Sequence, residues 1–189
     1  MPIATVFRNL CFSLFLLGAG AGQTAFADQT DPRLNDLFDH LKDITEPSDV
    51  ISTERQIWRI WLEAADDKTQ ALLDHGIEQM NSGQHKGALE AFDTLIAQAP
   101  DFAEAWNKRA TLFYILGNYE RSLEDIAKTL ELEPRHFGAL SGRGLVYANQ
   151  DDLENALLAF EAALRVNPTM GGARVNADAI RKILKEREI

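Results

Sequence analysis

A period of 34 residues recurs three times along this chain and constrains its fold more than any other feature. When the sequence is written in rows that begin at Thr69, Ala103 and Phe137, residues of similar size fall into the same columns. Small residues occupy the eighth column, large apolar residues the twenty-fourth, and prolines the thirty-second. In row order these are Gly76, Ala110 and Gly144; Phe92, Ile126 and Phe160; and Pro100, Pro134 and Pro168. A fixed period of this length indicates a stack of similar structural units.

The size pattern within each row predicts two helices that cross closely. Small residues in columns eight and twenty allow the helices to approach each other. Large residues, which in the second row are Trp106, Phe113 and Ile126, fill the space around the crossing. Helical spacing breaks at three predicted turns, residues 82–83, 116–118 and 149–151, and glycine in the first two provides a helix stop. The proline near the end of each row ends the second helix.

These columns resemble those of the tetratricopeptide repeat family, in which each unit is a pair of antiparallel helices. The resemblance covers residues 69–170 and departs from the family pattern at Gln79, Leu95 and Thr129. It implies an all-α fold, a short right-handed α-solenoid of three tetratricopeptide-like units at residues 69–102, 103–136 and 137–170.

The residues on either side of the repeats are predicted to be helical as well. Residues 28–68 contain two apolar helical patterns separated by Glu46-Pro47, and we predict an N-terminal helical hairpin that caps the stack. Lys42 and Glu54 occupy the columns that should be small, so this hairpin is not a fourth repeat. Residues 171–189 place small and apolar residues on one helical face, which predicts a C-terminal capping helix.

Trp58 and Trp61 of the hairpin allow two interpretations. They pack against the first repeat, as aromatic residues at helical spacing usually do, or they form a partly exposed anchor for a partner. The sequence leaves both open.

The first 27 residues have the features of a secretory signal peptide. Arg8 precedes an apolar run, residues 10–21, that is shorter than a membrane span, and Ala25-Phe26-Ala27 places small residues where signal peptidase cleaves. We therefore expect cleavage after Ala27 and a periplasmic or secreted protein without membrane insertion after cleavage. An uncleaved N-terminal anchor is the alternative. Cleavage also removes Cys11, the only cysteine, and with it any disulfide or thiolate metal site.

The net charge and the scattered reactive residues argue against several functions. A formal net charge of -10 argues against nucleic acid as a partner, because its phosphates would be repelled. The four histidines, His40, His75, His85 and His136, include no pair at metal-binding spacing on one helix. The sequence contains no glycine-rich phosphate loop and no G-x-S-x-G nucleophile motif. We expect no catalytic residue, no cofactor and no metal; a weak surface metal contact at Asp36 and His40 is the alternative.

The resemblance also implies where a partner binds. In this family the first helix of each unit lines a concave groove through columns two, five, nine, twelve and thirteen. The groove residues predicted to bind a partner are Leu73, Ile77, Asn107, Thr111, Tyr114, Ser141 and Asn149. These side chains are apolar in the first unit and mostly amides and hydroxyls in the next two. Such a groove suits an extended or helical protein segment whose backbone forms hydrogen bonds with Asn107 or Asn149. The alternative is that the N-terminal hairpin of the same chain fills the groove.

One class of partner is excluded by the groove residues. Members of the family that grip the acidic C-terminus of cytosolic chaperones use a clamp of basic residues and asparagines. The matching places here hold Leu73, Ile77, Lys108, Gly138 and Gly142, of which Lys108 alone could serve. The clamp is absent.

These observations predict a non-catalytic protein–protein interaction module, an adaptor or assembly factor that binds a peptide or protein segment in the groove. The alternative is a structural accessory subunit of an envelope complex that binds through its convex face or its tryptophan hairpin. Arg109 and Arg143, in the seventh column, are expected to form structural ion pairs rather than ligand contacts.

Overall fold

The computed structural model describes residues 29–187, and within that range every regular element is an α-helix. The helices are α1 (Arg33–Asp43), α2 (Pro47–Leu62), α3 (Asp67–Asn81), α4 (His85–Gln98), α5 (Ala103–Ile115), α6 (Tyr119–Leu132), α7 (Phe137–Asn149), α8 (Leu153–Val166) and α9 (Gly171–Arg187). They confirm the predicted all-α fold. The predicted signal peptide lies outside the described residues. None of the described helices is long and apolar enough to cross a membrane.

Helices α3 to α8 form three consecutive hairpins with the same local geometry. Each turn contains a residue with positive φ: Gly83 at 72°, Gly117 at 72° and Asp151 at 58°. Glycine adopts this left-handed conformation without strain, and aspartate is among the few other residues that tolerate it. Asn118 and Asp152 then cap the helices that follow through their side-chain oxygens. The chemistry of the turns therefore follows the period of the sequence.

Glycine in column eight brings the two helices of a unit together. A Cβ atom on Gly76 would overlap the ring of Phe92, and one on Gly144 would lie 2.7 Å from Cε1 of Phe160. Both phenylalanines are 0% exposed. The small and large columns of the sequence are therefore the two sides of one close helix crossing.

Helix α9 covers the end of the third unit. Its buried residues Ala173, Ala177 and Ile180 share one apolar cluster with Leu140 and Phe160. It acts as the predicted capping helix, because it shields an apolar face of the third unit from water.

The N-terminal hairpin forms as predicted but packs in a different place. Helices α1 and α2 share one apolar cluster with Phe137, the first residue of α7. Val166 and Met170, at the end of α8 and just after it, pack on the same cluster. At the end of the hairpin, Leu62 and Ala64 pack on the core of the first unit. The body of the hairpin therefore lies against the third unit.

The prediction that the hairpin caps the stack was thus wrong, and its tryptophans pack where the second and third units meet rather than against the first. The physical reason is the aromatic surface that His136 and Phe137 offer there. Rings of Phe38, Trp58 and Trp61 lie 4.1 to 6.4 Å, centroid to centroid, from those of His136 and Phe137. Aromatic pairs at such distances stabilise by about 0.5–1.5 kcal/mol each beyond the burial of their surface.

Candidate functional site

A cavity of about 230 Å³ lies between the first helices of the second and third units. Its lining residues are Asn107, Ala110, Thr111, Tyr114, Ser122, Ile126, Gly138, Ala139, Ser141, Gly142, Leu145 and Met170. None of these side chains is charged. A second, shallower depression shares Ser141, Leu145 and Met170 with the first and extends to Glu54 and Trp58 of α2. The first of these is the part of the concave groove that the chain leaves open, and we call it the open cavity.

The structure brings four of the predicted partner-binding residues together. Asn107, Thr111, Tyr114 and Ser141 all line the open cavity. Asn149 is exposed and lies within hydrogen-bonding distance of Tyr114, at the rim.

The two predicted residues of the first unit lie elsewhere. Leu73 is 0% exposed and belongs to the core of that unit with Phe92 and Leu95, so its side chain is not accessible to a partner. Ile77 is half-buried and packs against the same core. Column spacing places both on the expected helix, but the neighbouring helices decide their exposure.

Two tyrosines that share hydrogen bonds with Asn149 lie at the rim of the open cavity. Asn149 Nδ2 donates to Tyr114 Oη over 3.0 Å, and Tyr119 Oη donates to Asn149 Oδ1 over 3.3 Å. The two tyrosine rings lie 5.9 Å apart. Because Tyr114 Oη accepts from Asn149, its own hydrogen can be donated to an acceptor on a ligand. Asn149 therefore orients the tyrosines, and its amide is engaged within the chain.

Sequence reasoning missed Tyr119. It is the first residue of α6, the second helix of its unit, whereas the groove columns were sought in first helices alone. A signal in the sequence could have found it. Tyr119 directly follows the turn after α5, and Tyr114 lies just before that turn, so the two tyrosines are expected at the same end of the unit.

A buried carboxylate lies below the other end of the groove. Glu104 is 1% exposed; its Oε2 accepts from Asn107 Nδ2 over 3.0 Å and faces His136 Nε2 at 2.9 Å. Its Oε1 forms an ion pair with Lys108 Nζ at 2.9 Å, outside the angles of a well-aligned hydrogen bond. Ala139 N donates to His136 Nδ1, so the neutral imidazole carries its hydrogen on Nε2 and donates it to Glu104.

The ionisation of Glu104 follows from these contacts. Burial raises the pKa of Glu104, but the charge of Lys108 and the hydrogen bond with His136 together outweigh it and hold the pKa below its ordinary value. The carboxylate is therefore charged at neutral pH and fixes the orientation of Asn107, which is only 7% exposed. His136, one of the four histidines for which the sequence suggests no metal site, is a structural member of this network.

Helix α2 covers this end of the groove. Trp61 stacks on His136 with a centroid distance of 4.1 Å and an interplanar angle of 11°. Trp58 packs against Gly138, where a Cβ atom would lie 2.6 Å from its Cη2, and Lys108 Nζ lies 5.7 Å from the ring of Trp58. The interpretation in which the hairpin fills the groove therefore holds for one end of it. Trp61 is 1% exposed and is not a free anchor.

Arg109, in the seventh column, forms the structural ion pairs that the sequence suggests. Its guanidinium donates to both carboxylate oxygens of Asp125, each over 2.8 Å, and to Asp93 over 2.7 Å. The hydrogen bonds with Asp125 raise the pKa of Arg109 above its ordinary value, although burial opposes them. These contacts join α4, α5 and α6 and leave the arginine outside the open cavity.

No group of three or more His, Cys, Asp or Glu side chains within residues 29–187 is placed to hold a metal ion.

Comparison with known proteins decides the family. A sequence model described as tetratricopeptide repeat matches residues 73–129 and again residues 108–170, which together span more than half of the chain. The chain belongs to the tetratricopeptide repeat family. Its three hairpins, α3–α4, α5–α6 and α7–α8, are the tetratricopeptide units.

The relatives cover this tetratricopeptide repeat chain to different extents. A TPR repeat-containing protein of Rhizobium etli is 36% identical over 136 residues, which are 72% of this chain and 67% of the relative. Sperm-associated antigen 1 of Mus musculus is 30% identical over 60% of this chain but only 12% of its own length. DnaJ homolog subfamily C member 3 of Homo sapiens is 30% identical over 51% of this chain and 19% of its own length. The chain therefore spans less than a fifth of these two mammalian relatives.

Solved structures show the same fold. The Arabidopsis OM64 TPR domain covers 61% of this chain and 96% of its own with a TM-score of 0.59 and 20% identity. The first TPR of Spaghetti (RPAP3), bound to the HSP90 peptide SRMEEVD, covers 62% and 94% with a TM-score of 0.60 and 20% identity. At this identity the likeness supports the right-handed tetratricopeptide solenoid and no more.

Proposed function

We propose that this protein is a non-catalytic interaction module that holds a peptide or protein segment in the open cavity and acts as an adaptor or assembly factor. The observation that carries the proposal is the uncharged lining of the cavity, with an oriented tyrosine hydroxyl at its rim. Such a surface binds a neutral segment through side-chain burial and a few directed hydrogen bonds.

The lining supports a particular chemistry for the bound segment. Ile126, Leu145 and Met170 provide apolar contacts for one side chain of moderate size. Tyr114 donates to a backbone carbonyl of the segment, while Thr111 Oγ1 already donates to Asn107 O and can only accept. An acidic C-terminal peptide, such as the one bound by Spaghetti, is not the proposed ligand. Lys108 is the sole basic residue at the clamp places and is paired with Glu104.

The bound segment is to be found by photocrosslinking. Benzoylphenylalanine placed at Thr111, which is exposed and lines the cavity, should crosslink to one partner in the envelope fraction. The same group at Leu158, which is 60% exposed on α8 and outside the cavity, is the matched control. Crosslinking from Leu158 alone would instead support the accessory-subunit function through the convex face.

Tyr114→Phe should weaken binding of the crosslinked partner about fivefold, because one hydrogen bond of about 1 kcal/mol is lost. Tyr114→Ala should weaken it further, since the ring contact is lost too. Affinity is measured by isothermal titration with the purified partner. Tyr147→Phe, on α7 and outside the cavity lining, should bind as the wild type does.

Unchanged affinity in Tyr114→Ala, with helicity and melting temperature confirmed, would remove the open cavity as the binding site. Asn107→Ala is a poorer test, because Asn107 donates to the buried carboxylate of Glu104 and its loss disturbs the fold as well as the groove.

We further propose that the protein acts in the periplasm or outside the cell, on the basis of residues 1–27. Intact mass of the protein isolated from the producing cells should correspond to a chain that starts at Asp28. A mass that includes Met1 or the apolar run would contradict cleavage and favour an N-terminal anchor.

A further inference from the structure

Helix α2 packs over the polar network of Glu104, Lys108 and His136. The side chains of Glu104 and His136 below Trp61 are 0% exposed, and that of Lys108 is 20% exposed. Trp61 Nε1 is itself buried without a hydrogen-bond partner. Buried polar atoms are nearly always paired in a core that serves stability alone. The contact between α2 and the groove therefore leaves a buried donor without a partner.

The surface under α2 continues into the open cavity. Gly138 lines the cavity and also receives the ring of Trp58. Gly142, one turn further along α7, lines the cavity too, and a Cβ atom there would meet only Ile126 Cδ1 at 3.8 Å within 4 Å. Helix α2 thus fills the first of two adjacent recesses on α7 and leaves the second open.

The hairpin has apolar contacts of its own within the cluster that it shares with Phe137. Its helices bury residues against each other, chiefly Leu34, Phe38 and Leu41 of α1 and Ile57 and Ile60 of α2. Residues 63–66 connect it to α3, so displacement of the hairpin requires rotation near this short linker, next to the contacts of Leu62 and Ala64 with the first unit.

Polar contacts hold the hairpin down at its edges. Glu54 accepts from Asn167 over 2.6 Å and from Thr169 over 3.0 Å, and Arg135 donates to Asn35 over 2.8 Å. These hydrogen bonds are partly or fully exposed, so water can replace them when the hairpin lifts.

We propose that α2 is a displaceable occupant of the groove, and that the natural partner is a helical segment with two aromatic side chains one turn apart that replaces Trp58 and Trp61. The inference rests on the proposed function and names its partner class. The shape of the site selects such a segment, because the His136 ring offers a stacking face and Gly138 a recess for a second ring.

A partner helix gains a contact that α2 lacks. It can fill the recess beside Gly138 and extend a further side chain into the cavity beside Gly142. Because α2 is tethered, it competes for the site at an effective concentration on the order of millimolar. The added contact is what allows the partner helix to bind in its place. The sequence of α2 is therefore a first approximation to the sequence that the groove binds.

The first test is hydrogen exchange on the full chain. In the wild type, α2 amides such as those of Ile57 and Ile60 should exchange faster than those of Leu112 and Val146 in α5 and α7. Trp61→Ala should accelerate α2 on the order of a hundredfold or more and leave α5 and α7 unchanged. Parallel acceleration of all four helices α2, α5, α6 and α7 would show one cooperative core and overturn the inference.

The second test uses a fluorescent synthetic peptide of residues 47–62 as the probe. It should bind the full-length Trp61→Ala variant at least tenfold more tightly than the wild-type chain, in which α2 occupies the site. A peptide with both tryptophans replaced by alanine should not bind. Trp58→Ala, which empties the recess beside Gly138, is a second variant in case Trp61→Ala fails to fold.

Trp106→Ala is the matched control. Trp106 lies on α5, is half-buried and donates from Nε1 to Pro100 O, so its loss should not increase peptide binding. Equal peptide affinity for wild type and both hairpin variants would overturn the inference while leaving the Tyr114 result, and hence the proposed function, untouched. If the Tyr114 variants lose partner binding and the hairpin variants keep it unchanged, the open cavity is the binding site and the partner does not displace α2. That result too would overturn the inference.

Discussion

Phe160→Ala is expected to lower the free energy of unfolding by about 4 kcal/mol, because a fully buried ring leaves a cavity at the crossing of α7 and α8. Phe160 is 0% exposed and lies over Gly144, with no space between a hypothetical Cβ there and the ring. The measurement is urea unfolding followed by circular dichroism. Leu158→Ala on the same helix is the matched control; its side chain is 60% exposed, so its loss should change stability by less than about 0.5 kcal/mol.

A double-mutant cycle sharpens this prediction. Gly144→Ala alone should destabilise by about 2 kcal/mol through overpacking, whereas in the Phe160→Ala background its methyl group enters the cavity and should not destabilise further. Gly142→Ala, two residues away with only Ile126 within 4 Å, should stabilise α7 by roughly 0.5 kcal/mol through helix propensity. Additive losses from Gly144→Ala and Phe160→Ala would contradict the close crossing.

Arg109→Met is expected to lower the free energy of unfolding by about 3 kcal/mol, since it leaves the buried carboxylate of Asp125 without its partner. The side chains of Arg109 and Asp125 are 15% and 5% exposed. Methionine keeps the length of the stem and a similar helix propensity, so the loss reports the ion pair. Lys86→Met removes a cation that is 94% exposed and should be nearly neutral.

The same pair can be replaced rather than broken. Arg109→Met combined with Asp125→Leu should recover most of the stability, because no unpaired charge remains buried. If the double variant is as unstable as Arg109→Met alone, the arginine acts mainly through Asp93 or through the rings it covers, Trp106 and Phe113.

The groove illustrates how intramolecular contacts shape a binding surface. Glu104 and Asn107 occupy groove columns, yet both are buried. Lys108 pairs with Glu104, and Asn107 donates to the same carboxylate. The accessible surface is reduced to the open cavity, whose side chains carry no charge. In a chain with net charge -10, a neutral pocket suits recognition by shape and hydrogen bonds more than electrostatic attraction.

Much of the site could be predicted from columns alone. Asn107, Thr111, Tyr114 and Ser141 come together because first helices of adjacent units lie side by side at a spacing that the period sets. Leu73 occupies an equivalent column but is buried in the first unit, because its exposure depends on neighbours that the column does not encode. Tyr119 was invisible to the same reasoning, since it reaches the rim from a second helix.

The sequence by itself determined the repeating hairpins, their turns and their close crossings, because these depend on contacts within one period of 34 residues. Only the tertiary structure decided where the N-terminal hairpin docks. Its apolar face could cover several surfaces, and the selection is made by contacts far apart along the chain, such as Glu54 with Asn167, 113 residues away. Trp61 on His136 is another such contact. A local pattern records that a side chain must be buried, whereas the partner that buries it is chosen by the assembled fold.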